Sequence, residues 1–130
     1  MVEFSESFKL DCEELDGDHR QLKEMVDEIV AMLDANETAN CKAKVLEFVN
    51  FSKLHFAREE LFLSDHGYPD TDKHRKHHAS LDQKMEHMLE FAGMVAVNEK
   101  ARESLKKELV YFLMDDVIST DLNFKSFVKS

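Results

Sequence analysis

Four stretches of the chain repeat apolar residues at three- and four-residue steps, the spacing that gathers side chains on one face of an α-helix. The first runs from about Gly17 to Asp34 and aligns His19, Leu22, Val26, Ile29 and Leu33. The second, about Lys42 to Ser64, aligns Val45, Phe48, Ser52, His55, Glu59 and Phe62, with Val49, Phe56 and Leu63 widening the stripe. The third, about Thr71 to Met94, aligns His74, His78, Leu81, Met85, Met88 and Ala92. The fourth, about Glu99 to Ser119, aligns Leu105, Leu109, Phe112 and Asp116. Between them, residues 35–40 read as a loop, Gly67 and Pro69 break the second stretch from the third, and a turn falls near Asn98. Asp16 or Asp18 is a candidate amino-terminal cap for the first helix. Four helices of similar length with short connections predict an all-α, up-down-up-down antiparallel four-helix bundle. An N-terminal arm from Val2 to Leu15 carries Phe4, Phe8 and Leu10 to pack against it.

Polar residues interrupt these apolar stripes in a pattern of their own. His55 and Glu59 are four apart, as are His74 and His78, so each pair points from one helix face with one turn between its members. His19 lies near the start of the first helix, and Asp116 and Asp121 lie at the end of the fourth. Alternating helix directions bring all seven to the same end of the bundle. A single histidine on an apolar stripe is usually a hydrogen-bonded core residue, and Asp116 alone reads equally as a surface residue. Several buried polar groups at one depth are different, because each costs a few kcal/mol without a partner. Metal coordination removes that cost, and mixed imidazole and carboxylate donors suit iron, zinc or manganese better than calcium or magnesium. Seven donors exceed one tetrahedral shell, which favours two ions. Asp121 follows Asp116 by five residues, about 140° on an ideal helix, so both reach one site only if the helix ends or deforms between them. His66, His77 and His87 fall off the stripes and read as solvated, and Met85 and Met88 as core.

Composition narrows the classes. The 130 residues suit a single domain, 1–130, large enough to bury a core, and 43% hydrophobic residues with three Gly and one Pro fit a helical chain. A net charge of −10 argues against nucleic acid or an anionic membrane as partner. Cys12 and Cys41 make no disulfide framework, no secretory signal is visible at the amino terminus, and no apolar run is long enough to span a bilayer. A cytoplasmic protein is expected. No nucleophile–base pair or phosphate loop is legible, so no catalytic residue is assigned.

Taken in order, Asp16-Gly-Asp-His19-Arg-Gln-Leu22, His55-Phe-Ala-Arg-Glu59-Glu60, Gly67-Tyr68-Pro69 with His74 and His78, and Phe112-Leu-Met-Asp-Asp116-Val-Ile-Ser-Thr-Asp121 resemble the motifs of the hemerythrin family, and the resemblance extends through most of the chain. It implies a non-haem, oxo- or hydroxo-bridged pair of iron ions. By that analogy His74, His78 and residue 116 hold one iron, His19 and His55 the other, and Glu59 and Asp121 bridge them. The second iron keeps an open position for dioxygen.

The chain departs from the family at residue 116, where Asp116 replaces a fifth histidine. It also has no tryptophan, with Phe4 and Phe112 where the family often carries one. A carboxylate ligand in place of neutral imidazole favours ferric over ferrous iron, which weakens oxygen storage as a reading and strengthens sensing or redox roles. The leading expectation is a protein that binds dioxygen or a related small diatomic, for oxygen binding, storage or sensing. The alternatives are a di-iron redox enzyme, reducing peroxide or oxidising iron, and an iron- or zinc-binding bundle without oxygen carriage.

Overall fold

In a computed structural model, which describes residues 8–10 and 12–129, the chain forms an antiparallel four-helix bundle with no strand among the described residues. Helix α1 spans Glu13–Asp34 and α2 spans Cys41–Asp65. The third rod is α3, Thr71–Ser80, followed by α4, Asp82–Ala92. The fourth starts as α5, Glu99–Tyr111, and continues as a π-helix over Phe112–Ser119, a 3-10 turn over Leu122–Phe124 and a short α6 over Lys125–Lys129. Helix α1 packs on α2 and α5, α2 packs on α3 and α4, and α4 packs on α5, closing the square. No helix among the described residues is long and apolar enough to cross a membrane.

The stripes read from the sequence are the faces that become buried. Leu22, Val26, Ile29, Val45, Phe48, Met85, Met88, Leu105, Leu109 and Phe112 form the main core. Leu10, Leu15, Leu63 and Phe124 form a second, smaller cluster that Cys12, Phe62 and Tyr68 flank. Phe8 joins the main core and Leu10 the second cluster, so these two residues of the arm pack as expected. Phe4 lies outside the described residues.

Two boundaries differ from the expected ones. Helix α1 begins at Glu13 rather than near Gly17, because Glu13, Glu14 and Asp16 favour the positive end of the helix dipole and carry the start back to Cys12. Asp16 and Asp18 therefore lie inside the helix and cap nothing. Asp16 instead accepts a hydrogen bond from the Leu10 N–H at 2.7 Å and ties down the arm. The third rod is interrupted at Leu81. Ser80 Oγ donates to the His77 carbonyl at 2.6 Å, and the Leu81 N–H turns to His78 at 3.1 Å, a shorter step than an α-helix makes.

The turn after α2 is set by Gly67, whose φ of 69° lies in the left-handed region. The N–H of Tyr68 returns to the Leu63 carbonyl at 2.9 Å, closing the helix end. A Cβ on Gly67 would meet nothing within 4 Å. Gly67→Ala is thus expected to lose about 1–2 kcal/mol through backbone strain alone. Urea unfolding should show a lower midpoint with an unchanged slope.

Candidate metal centre

The polar residues of the stripes meet between the main core and the second cluster. His19, His55, Glu59 and Asp121 each offer one ligand atom within 4.8 Å of the others, and so do Glu59, His74, His78 and Asp121. All six side chains are buried. The two groups share Glu59 and Asp121, so the carboxylates lie between two pairs of histidines. Each pair comes from a different half of the bundle: His19 on α1 with His55 on α2, and His74 with His78 on α3.

Each of these four histidines turns its Nε2 inward. His19 Nε2 lies 2.8 Å from Asp121 Oδ2, and His55 Nε2 lies 3.2 Å from the same oxygen and 3.1 Å from Glu59 Oε2. His78 Nε2 lies 3.0 Å from Glu59 Oε1, and His74 Nε2 meets both Glu59 Oε1 and, at 3.2 Å, Asp121 Oδ1. Burial disfavours a charged imidazole, yet its hydrogen bonds to Asp121 and Asp18 and the attraction of Glu59 outweigh it and hold His55 well above its ordinary range. The same opposition, with Asp121 and Glu59 as partners, raises His74 to about 9. Asp121 is pulled well below the usual carboxylate range: burial alone would raise it, but Glu59, His19, His55 and His74 hydrogen-bond to it.

These residues fit transition-metal ions. Glu59 Oε2 and His78 Nδ1 are buried without a hydrogen-bond partner among the described residues. An unpartnered acceptor beside four imidazoles suits a bound cation. Imidazole with carboxylate is the donor set of iron, manganese and zinc.

The outer sides of the rings are also held. Asp18 Oδ2 accepts from His55 Nδ1 at 3.0 Å, and Asp18 Oδ1 accepts from Arg58 Nη1 at 2.6 Å. This orients His55 and fixes which nitrogen faces the carboxylates. The Asp18 carboxyl sits below its usual range, since His55 and Arg58 outweigh the burial that would raise it. Phe56 stacks on His78 with ring centroids 4.1 Å apart, and Phe124 packs edge-on against His74 at 5.4 Å. Asp18 was legible as a buried position: Leu15, Asp18 and Leu22 follow a three- and four-residue step.

Asp116, the seventh candidate, is buried but stands outside both groups. Its Oδ2 accepts from Lys84 Nζ at 2.8 Å, and its backbone carbonyl accepts from His77 Nε2 at 2.9 Å. Lys84 draws the carboxylate off, and the π-helix shifts the line on which it stood. Its wider turn closes i→i+5 hydrogen bonds, so the four-residue step that carried Leu105, Leu109 and Phe112 inward no longer returns Asp116 to that line. The π segment runs on to Ser119, and Asp121 arrives at the shared position while Asp116 does not, so the two aspartates do not meet at one site. His77, expected in solvent, is half-buried through its bond to Asp116.

The family model for the hemerythrin HHE cation binding domain matches residues 11–119. No curated protein shows a significant match to the chain.

Proposed function

The chain belongs to the hemerythrin HHE cation-binding domain family, and from that membership we propose that its buried donors hold two iron ions and reversibly bind dioxygen or a related small diatomic. The observation that carries this reading is the sharing of Glu59 and Asp121 between two histidine pairs. Two carboxylates between two pairs of imidazoles suit a bridged ion pair better than two separate ions. Glu59 and Asp121 would be shared by the two ions, His19 and His55 would hold one, and His74 and His78 would hold the other. Bound iron supplies the redox capacity for taking up and releasing a diatomic ligand.

The protein's own part is orientation, charge and exclusion of water. Asp18 and Arg58 fix His55, Phe56 fixes His78, and the apolar cluster of Leu10, Leu15, Leu63 and Phe124 closes the end of the bundle beyond the site. Glu59 and Asp121 supply two negative charges. Asp116, engaged by Lys84, stands outside the donor groups, so the added carboxylate that would favour ferric iron is not delivered. That supports reversible binding over redox turnover.

Metal analysis joined to an optical spectrum under nitrogen, in air, and under nitrogen again tests the reading. Iron with a visible band that appears and disappears reversibly is expected. Irreversible bleaching accompanied by turnover would favour an enzyme, and a protein that takes up no iron would contradict the proposal. A second expected outcome concerns Asp18. Asp18→Asn should weaken metal binding about 10–100-fold by loosening His55, measured against a competing chelator, with the metal-free fold retained by circular dichroism.

A further inference from the structure

The pairing of Asp116 with Lys84 changes how many ligand positions the second ion keeps. Asp116 lies outside the donor groups, its Oδ2 accepting from Lys84 on α4 at 2.8 Å and its backbone carbonyl from His77 on α3 at 2.9 Å. Lys84 is held in turn, with its ammonium 5.1 Å from the Tyr111 ring centroid. The ion beside His74 and His78 is therefore offered two imidazoles and the shared Glu59 and Asp121, the same set offered to the ion beside His19 and His55. Two imidazoles with carboxylate leave open positions on iron-type ions. One side of this half is also close to solvent. His74 lines a surface pocket with Tyr68, Asp70, Lys73, His77, Thr120 and Asn123.

We propose that both ions, not one, carry an exchangeable ligand position, and that Lys84 keeps the position beside His74 and His78 open to a small anion by holding Asp116 away. This rests on the two-ion reading above. The two halves are then alike in donors.

Cobalt(II)-loaded protein titrated with azide in a calorimeter tests this, with cobalt counted in the same samples. The wild type is expected to hold two cobalt ions and take up two azides per chain. Asp116→Ala should keep both ions and both azides, because it removes no ligand. Asp116→His, which supplies an imidazole with no attraction to Lys84, should keep both ions and lose one azide. Lys84→Met, which frees the carboxylate, should lose one azide as well, and the double variant with Asp116→Ala should regain it. Two ions with a single azide in the wild type would overturn this inference and leave the ion pair standing. Loss of one cobalt from Asp116→Ala would show Asp116 to be a ligand and overturn it too. Fewer than two ions in the wild type would overturn both.

Discussion

Replacing Glu59 with alanine is expected to abolish binding of the ion pair, the largest effect of any single substitution in the protein. Glu59 is fully buried, and its two oxygens face both halves of the site, Oε2 towards His55 at 3.1 Å and Oε1 towards His74 and His78. On the proposed two-ion reading, its removal would take one donor from each ion at once and halve the carboxylate charge between them. The metal-free protein should suffer as well. His55 and His74 owe their raised proton affinity in part to Glu59, and removing one partner of a buried charge pair costs about 3–5 kcal/mol. The control is the neighbouring carboxylate. Glu60 is half-buried, with Oε1 3.2 Å from Arg75 and Oε2 3.6 Å from His78 Nδ1, so it belongs to neither donor group. Glu60→Ala should keep nearly the full metal content, whereas Glu59→Ala should fall by at least about tenfold in affinity. Equal metal content in the two variants, read by elemental analysis after dialysis, would show that Glu59 does not bridge.

Metal affinity should fall steeply as the solution is acidified, while the metal-free protein responds in the opposite direction. In the absence of metal, His74 is raised from 6.5 to about 9 and His55 is also raised, so both carry protons at neutral pH. An incoming ion must displace those protons. Each displaced proton weakens binding about tenfold per pH unit, so two give up to about a hundredfold. The sign reverses for folding without metal. A group whose folded-state value is raised contributes stability that is fully present below its unfolded value and is lost as pH rises through the folded one. The His74 contribution is therefore full below 6.5 and disappears as pH passes about 9. Asp121 works on the acid side: its folded value is depressed, so its contribution holds above the ordinary carboxylate range and is lost on further acidification. Chelator competition and urea unfolding of the metal-free protein, both followed from about pH 6.5 to about pH 9, should give opposite slopes. Parallel slopes, or a pH-independent affinity, would contradict the assignment of these histidines as ligands.

Much of this arrangement is legible in the chain because it follows helical periodicity. The four-residue steps from His55 to Glu59 and from His74 to His78 survive folding unchanged, since α2 and α3 are regular over those residues. His19 meets them because the connections are short and the helix directions alternate. What escaped periodicity lies where the backbone leaves the α-helix. The π segment takes Asp116 off the stripe of Leu105, Leu109 and Phe112, and no residue type between Phe112 and Asp116 announces a π turn. The break at Leu81 depends on one hydroxyl, Ser80, competing for a carbonyl. Asp18 was misassigned for another reason: an aspartate near a helix start reads equally well as a cap, and only its place between Leu15 and Leu22 marks it as buried.

Diffraction measured at the iron absorption edge, from crystals of the iron-loaded protein, tests the central claim most directly. Two anomalous peaks are expected, about 3.5–4 Å apart, with Glu59 and Asp121 between them, one peak beside His19 and His55 and the other beside His74 and His78. A single peak, or two peaks that share neither carboxylate, would contradict it.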